Sequence, residues 1–208
     1  MIAWMNNHKG MPVSEPQSNG VGFKTVPTRL DMIKMLIPDS EGAEIGVQQG
    51  GFANEILSTP VRKLHLIDAW THVPGHPDNA ISMSQGGHNC NETTVRCRFE
   101  KEIKSGRVVV HRMFSVEAAR HFTIGSLDWI YIDADHCYDA VLADLNAWSA
   151  RVKKGGCIMG HDYMDWGVAI ELRFGVIPAV SKFCADNGWK ITHLTTEDEW
   201  PSYRLERV

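Results

Sequence analysis

The feature that most limits the fold of this chain is the apolar run over residues 127–132, which ends in Asp133 and is soon followed by an amphipathic stretch carrying Val141, Leu142, Leu145 and Trp148 on one side. A continuous apolar run suits a strand covered on both faces, and the helical spacing after it supplies one of the covers. The same alternation recurs along the chain. Strands are expected over 43–47, 63–67, 107–110, 127–132 and 157–159. Helices are expected over 28–36, 52–57, 92–104, 116–122, 138–152 and 168–185, the last interrupted around Gly175 and Pro178. Residues 190–194 and 203–207 read as a terminal antiparallel pair. This pattern predicts an α/β chain with a Rossmann-like, doubly wound, mainly parallel seven-stranded sheet and an antiparallel C-terminal strand pair.

A length of 208 residues suits one domain. That domain is expected over 26–208, behind a mobile arm over 1–25 that is rich in Asn, Ser, Pro and Gly. Residues 71–91, with Pro74, Gly75, Pro77, Gly86 and Gly87, are expected to form a long loop that lies over the site as a lid. Twenty-one basic against 25 acidic residues give a net charge of −4, where a nucleic-acid binder shows a basic stripe. The short cluster of Arg151, Lys153 and Lys154 reads as the solvated end of a helix. No apolar run is long enough for a bilayer, and the first twenty residues lack the apolar core of a signal peptide. The five cysteines are odd in number and form no CxxC pair, which fits reduced thiols in a cytoplasmic protein. The expected partner is therefore a small molecule, with neither nucleic acid nor membrane involved. A homodimer that exchanges the arm or the 71–91 segment is compatible with the sequence.

In such a sheet ligands bind at the C-terminal ends of the strands. There the chain places Glu44 with Gly46, Asp68, Ser115, Asp133, and His161 with Asp162. The first turn, Glu44-Ile45-Gly46-Val47-Gln48-Gln49-Gly50-Gly51, has the spacing E-x-G-x-x-x-G rather than the G-x-G-x-x-G that places a pyrophosphate on a helix. Its glycines let backbone approach a ligand closely. Asp68, which ends the next strand, is suited to accept hydrogen bonds from ribose hydroxyls. Met113, Phe114 and Ser115, after the third strand, offer apolar and polar contact to a base. Trp70 has two readings, as a platform for the nucleoside or as a structural anchor.

From Ala43 onward the sequence resembles the class I S-adenosylmethionine (SAM)-dependent methyltransferases. The resemblance implies that Gly46 and Gly50 cradle the methionine part of SAM, that Glu44 supports the turn, and that Asp68 holds the ribose. The segments Asp133-Ala134-Asp135-His136-Cys137-Tyr138 and Gly160-His161-Asp162-Tyr163 are similar to the metal-dependent O-methyltransferases of small molecules. Asp133, His161 and Asp162 then stand where Mg²⁺ or another divalent cation is held, with zinc admitted by the histidine. His161 departs from the carboxylate usual at its position.

The expected reaction is methyl transfer to a hydroxyl of a small acceptor, possible with or without cation help. His136 is the candidate general base, with Asp133 as the other proton acceptor. Asp135 is expected either to orient His136 or to cap the helix at Tyr138. His72 and His76 have ligand spacing, but Pro74 and Gly75 between them prevent a shared helical face, so no separate zinc site is expected. Two competing readings are a nicotinamide-dependent oxidoreductase, disfavoured by the glycine spacing, and a SAM-binding protein that does not catalyse.

Overall fold

The computed structural model describes residues 22–197 and 200–208. The chain runs through β1 (Lys24–Val26), α1 (Arg29–Lys34), β2 (Glu41–Ile45), α2 (Gly51–Leu57), β3 (Lys63–Asp68), α3 (Asn79–Ser82), α4 (Gln85–Arg98), α5 (Glu100–Lys104) and β4 (Val108–Arg112). It continues through α6 (Ser115–Ala119), β5 (Leu127–Ile132), α7 (Tyr138–Ser149), β6 (Val152–Gly160), α8 (Val168–Glu171), α9 (Val176–Asn187), β7 (Trp189–Thr195) and β8 (Tyr203–Arg207). All strands share one sheet in the order β1-β7-β8-β6-β5-β2-β3-β4. Every pairing is parallel except those of β8 with β6 and with β7.

The doubly wound sheet with an antiparallel C-terminal pair is thus present, with eight strands rather than seven. The added strand is β1, whose three residues pair with His193, Leu194 and Thr195 at the edge. Lys24 and Thr25, assigned to the arm by sequence, therefore belong to the sheet. The rest of that arm, through residue 21, lies outside the described residues.

Alternation along the strands explains their apolar runs. Ala43, Ile45, Ile67, Ile130, Ile132 and Ile158 face a core shared with α6, α7 and α9. Leu64, Leu66, Trp129, Tyr131, Cys157 and Met159 face the other, shared with α1, α2, α4 and Phe99. Both faces are covered, so both parities must be apolar. No helix among the described residues is long and apolar enough to cross a membrane.

Four boundaries differ from expectation, each for a local reason. The segment over 71–91 carries two helices. Asp78 caps α3 by accepting from Ala80 N at 2.7 Å, and Ser84 caps α4 by accepting from Gly87 N at 3.2 Å, so α4 begins at Gln85 despite Gly86 and Gly87. The helix expected over 92–104 breaks at Phe99, which buries its ring. Val152 opens β6 instead of closing α7, and Gly155 and Gly156 lie inside that strand. Pro178 sits in the first turn of α9, where a missing N–H costs little. The break in the 168–185 stretch falls at Gly175, as expected, and not at Pro178.

Candidate active site

A cleft of about 570 Å3 opens at the C-terminal ends of β2, β3, β4 and β5, within the range of small-molecule sites. At one end β2 runs into Gly46, whose φ of +86° is costly for any other residue. A Cβ there would sit 1.9 Å from the Asp133 carbonyl oxygen, so the turn packs directly on the end of β5. Gly50, φ +73°, is the N-cap of α2. Asp68 braces this turn. Its Oδ2 accepts from Val47 N at 3.0 Å and Gln48 N at 2.9 Å, and its Oδ1 from Trp70 N at 2.7 Å. A carboxylate offers about four acceptor positions, so the ribose role expected of Asp68 falls to what Oδ1 has left. Trp70 is buried and donates Nε1–H to Gln48 O at 2.9 Å, which is the structural-anchor reading.

Glu44 lines the cleft, is 2% exposed, and has no hydrogen-bond partner on Oε2. Burial, then the nearby Asp133 charge, hold its carboxyl well above the usual range. An orphaned buried acceptor beside a turn with no room for a side chain fits a ligand that brings its own donor, such as the ammonium of an amino acid. Met113, Phe114 and Ser115 line the cleft farther along. Phe114 is half exposed, and Ser115 Oγ accepts from Trp148 Nε1 at 2.9 Å.

The other end holds the acidic and imidazole groups. Asp133 is fixed as β5 ends, with its N–H on Ile45 O at 2.7 Å. Asp162 follows β6 with φ +55°, a conformation that Asp tolerates better than most residues. His136 Nε2 lies 2.7 Å from Asp162 Oδ2 and 3.7 Å from Asp133 Oδ1, while its Nδ1 lies 3.3 Å from Asp78 Oδ2. These are ion-pair distances, off the directions a hydrogen bond needs. His161 Nδ1 is 3.3 Å from Asp162 Oδ2 and 3.6 Å from Asp133 Oδ1. Arg29 Nη1 reaches Asp133 Oδ2 at 3.6 Å and lies 3.5 Å from His161 Nε2, with its guanidinium over the Phe52 ring.

The charges balance through coupled shifts. Burial alone would lower the His136 pKa, but Asp133, Asp162 and Asp78 outweigh it and raise it to about 12. His161 is raised to about 9 by Asp133 and Asp162 against the same burial. Burial pushes Asp133 and Asp162 up, yet the two imidazolium groups hold both below the ordinary carboxylate range. The three carboxylates favour the protonated imidazole, which weighs against the general-base role expected of His136.

The donors that converge are Asp133, His136 and Asp162, with ligand atoms within 4.8 Å of one another. His161, expected as a ligand, stands beside that group rather than in it. Asp135 does not orient His136. It accepts from Cys137 N at 2.9 Å at the start of α7 and holds His76 Nε2 at 3.1 Å. His72 turns instead to Met83 O at 2.8 Å, away from His76. Sequence reasoning missed Asp78, which backs His136, and Arg29. Asp78 carried only a helix N-cap signal, and Arg29 only its place at the start of α1.

A family profile described as "Methyltransferase domain" matches residues 43–163, more than half of the chain and the whole span from the glycine turn to Tyr163. An uncharacterised protein of Acanthamoeba polyphaga mimivirus is 40% identical over 60 residues, covering 29% of this chain and 25% of that protein. Among solved structures, a Clostridium thermocellum protein described as an rRNA methylase superposes with a TM-score of 0.60 at 12% identity, over 86% of this chain and 93% of that one. A Streptococcus mutans protein described as a methyltransferase and solved with S-adenosylhomocysteine (SAH) gives 0.59 at 9% identity, over 86% and 95%. The B. subtilis tRNA methyltransferase TrmK gives 0.57 at 12% identity, over 88% and 67%. With its sheet order and its glycine turn, and with the family profile spanning both, this chain belongs to the class I SAM-dependent methyltransferases.

Proposed function

We propose that the chain methylates a hydroxyl of a small-molecule acceptor, with a divalent cation held by Asp133, His136 and Asp162. The observation that carries this reading is the convergence of those three donors within 4.8 Å beside the cleft, together with Asp78 on the far nitrogen of His136. A carboxylate behind a histidine is the usual support of a metal ligand. The off-direction approach of the carboxylates to the ring nitrogens fits groups gathered about a shared cation better than a plain hydrogen-bonded pair.

SAM, when bound, supplies a methyl group already made electrophilic by the sulfonium. A divalent cation, when bound, lowers the pKa of a neighbouring hydroxyl. The chain does the rest by placement. The turn at Gly46 and Gly50 receives the amino-acid end, with Glu44 Oε2 accepting from the ammonium. Asp68 takes the ribose, and Met113, Phe114 and Ser115 border the base. Asp133 and Asp162 hold the acceptor end, and Asp133 is the group left to take a proton. Its depressed pKa makes it a weak base, which favours a hydroxyl that ionises readily, such as a phenol with a pKa of ~10.

Turnover with SAM and a panel of phenols, measured after chelation and again with Mg²⁺ added, tests the reading. Activity should fall on chelation and return with Mg²⁺. Turnover that ignores the chelator would remove the cation from the mechanism.

A further inference from the structure

A second, smaller cavity lies at the opposite end of the sheet from the cleft, where β5 and β6 begin. It holds about 170 Å3, less than a third of the cleft. A break in the β5–β6 ladder shapes it. Leu127 pairs with Val152 and Trp129 with Cys157, so the single residue Asp128 faces the four residues 153–156. Bulges re-aim side chains and are frequent beside functional sites. Lys153 and Lys154, read from sequence as solvated charges at a helix end, stand on this bulge and line the cavity, and Arg204 of β8 lines it from the other side of β6. Asp128 has both oxygens engaged, Oδ1 by Lys153 Nζ at 2.7 Å and Oδ2 by Glu41 N at 2.8 Å. Arg204 donates Nε–H to Glu206 Oε1 at 2.9 Å, but its Nη1 is buried with no hydrogen-bond partner among the described residues. A buried charged donor left unpaired is costly, so an acceptor is expected to complete it. The remaining walls are apolar. Trp129 and Cys157 are buried there, while Met35 and Ile37, just after α1, are exposed.

We propose that this cavity binds a small organic carboxylate, with Arg204 and Lys154 on the carboxylate and Met35 and Ile37 against its apolar body. The planar guanidinium matches a carboxylate with parallel hydrogen bonds, and the Lys154 ammonium adds a point charge. The volume falls below that of sites for drug-sized ligands, so the acid is small. The apolar walls favour an acid with a hydrocarbon body over a bare inorganic anion. This site is separate from the cleft and does not depend on the reaction proposed there.

Calorimetric titration of the full chain with benzoate, benzamide and inorganic phosphate tests this. Benzamide keeps the ring without the charge, and phosphate keeps the charge without the ring. Benzoate should bind at about millimolar or tighter, and at least about tenfold more tightly than either of the others. Arg204→Gln should weaken benzoate binding about 10- to 100-fold, with its melting temperature confirming the fold. No heat from benzoate, or benzamide or phosphate binding as tightly as benzoate, would overturn the proposal. So would unchanged benzoate affinity in Arg204→Gln, which would place the acid elsewhere on the chain. Should that variant not fold, Lys154→Glu carries the test from an exposed position. Its benzoate affinity should fall about tenfold, and affinity equal to wild type would contradict the proposal.

Discussion

Two groups of three donors lie beside the same cleft, and they differ less in composition than in what stands behind them. Asp133, His136 and Asp162 form one, and His76, Asp135 and Cys137 the other, each with ligand atoms within 4.8 Å. In the first, His136 Nδ1 faces the Asp78 carboxylate at 3.3 Å. Its proton stays there, and Nε2 can give up its own proton and offer a lone pair. In the second, His76 Nδ1 accepts from Asp78 N at 3.1 Å. The proton must then sit on Nε2, the atom that meets Asp135 at 3.1 Å. Burial and Asp135 also push the Cys137 thiol to about 11, away from the thiolate a metal needs. One aspartate, through its side chain and its backbone, thus frees one imidazole for ligation and denies it to the other. Donor counts do not make a site, and the groups behind the donors do.

The contrast is tested most severely at Asp162. Asp162→Asn keeps a side chain that tolerates φ +55° but weakens the ligand. Turnover should fall at least about 100-fold, beyond the usual cost of losing an outer partner, and steady-state rates with an unchanged melting temperature would show it. Asp78→Asn comes next. It keeps the α3 cap and should weaken Mn²⁺ binding by about 10- to 100-fold in a calorimetric titration. Affinity equal to wild type would mean that Asp78 does not set the difference between the clusters.

A smaller effect follows from pH. His136 carries its proton to about 12 in the cation-free protein, so ligation at Nε2 releases one proton at any lower pH. Cation affinity should therefore rise up to about tenfold per pH unit between about pH 6 and 8, and a flat profile would contradict ligation by His136. Stability of the cation-free protein runs the other way. The His161 pKa is raised from 6.5 to about 9, so its contribution is complete below pH 6.5 and lost as pH climbs through 9. The melting temperature should decline over that window, and His161→Gln should flatten the decline. The smallest effect belongs to the second cluster, where His76→Ala should leave turnover within about threefold of wild type. A loss as large as that of Asp162→Asn would erase the contrast.

The sheet was legible because its strands are covered on both faces and its helices on one, which fixes apolar runs and helical periodicity. Short or polar elements escaped. The three residues of β1 contain one apolar side chain, and Gly86 and Gly87 conceal a helix that a serine cap starts. Gly156 reads as a turn but lies in a strand, where the Asp128 carbonyl leaves no space for a Cβ and so requires glycine. At the site, the strand-end residues Asp133 and Asp162 could be placed by sequence because parallel strands bring their C-termini together. The partners of His136 could not. Asp78 meets it across 58 positions of chain through a fold of the 71–91 segment that no periodicity encodes. The base role of His136 also depended on its charge environment, which only the arrangement of Asp78, Asp133 and Asp162 defines.

Crystals grown with SAH and Mn²⁺, examined by anomalous scattering, test the central claim most directly. The account predicts one peak at bonding distance from Asp133, His136 Nε2 and Asp162, and none at His76, Asp135 and Cys137. A peak at the second group, or none at either with SAH in the cleft, would contradict it.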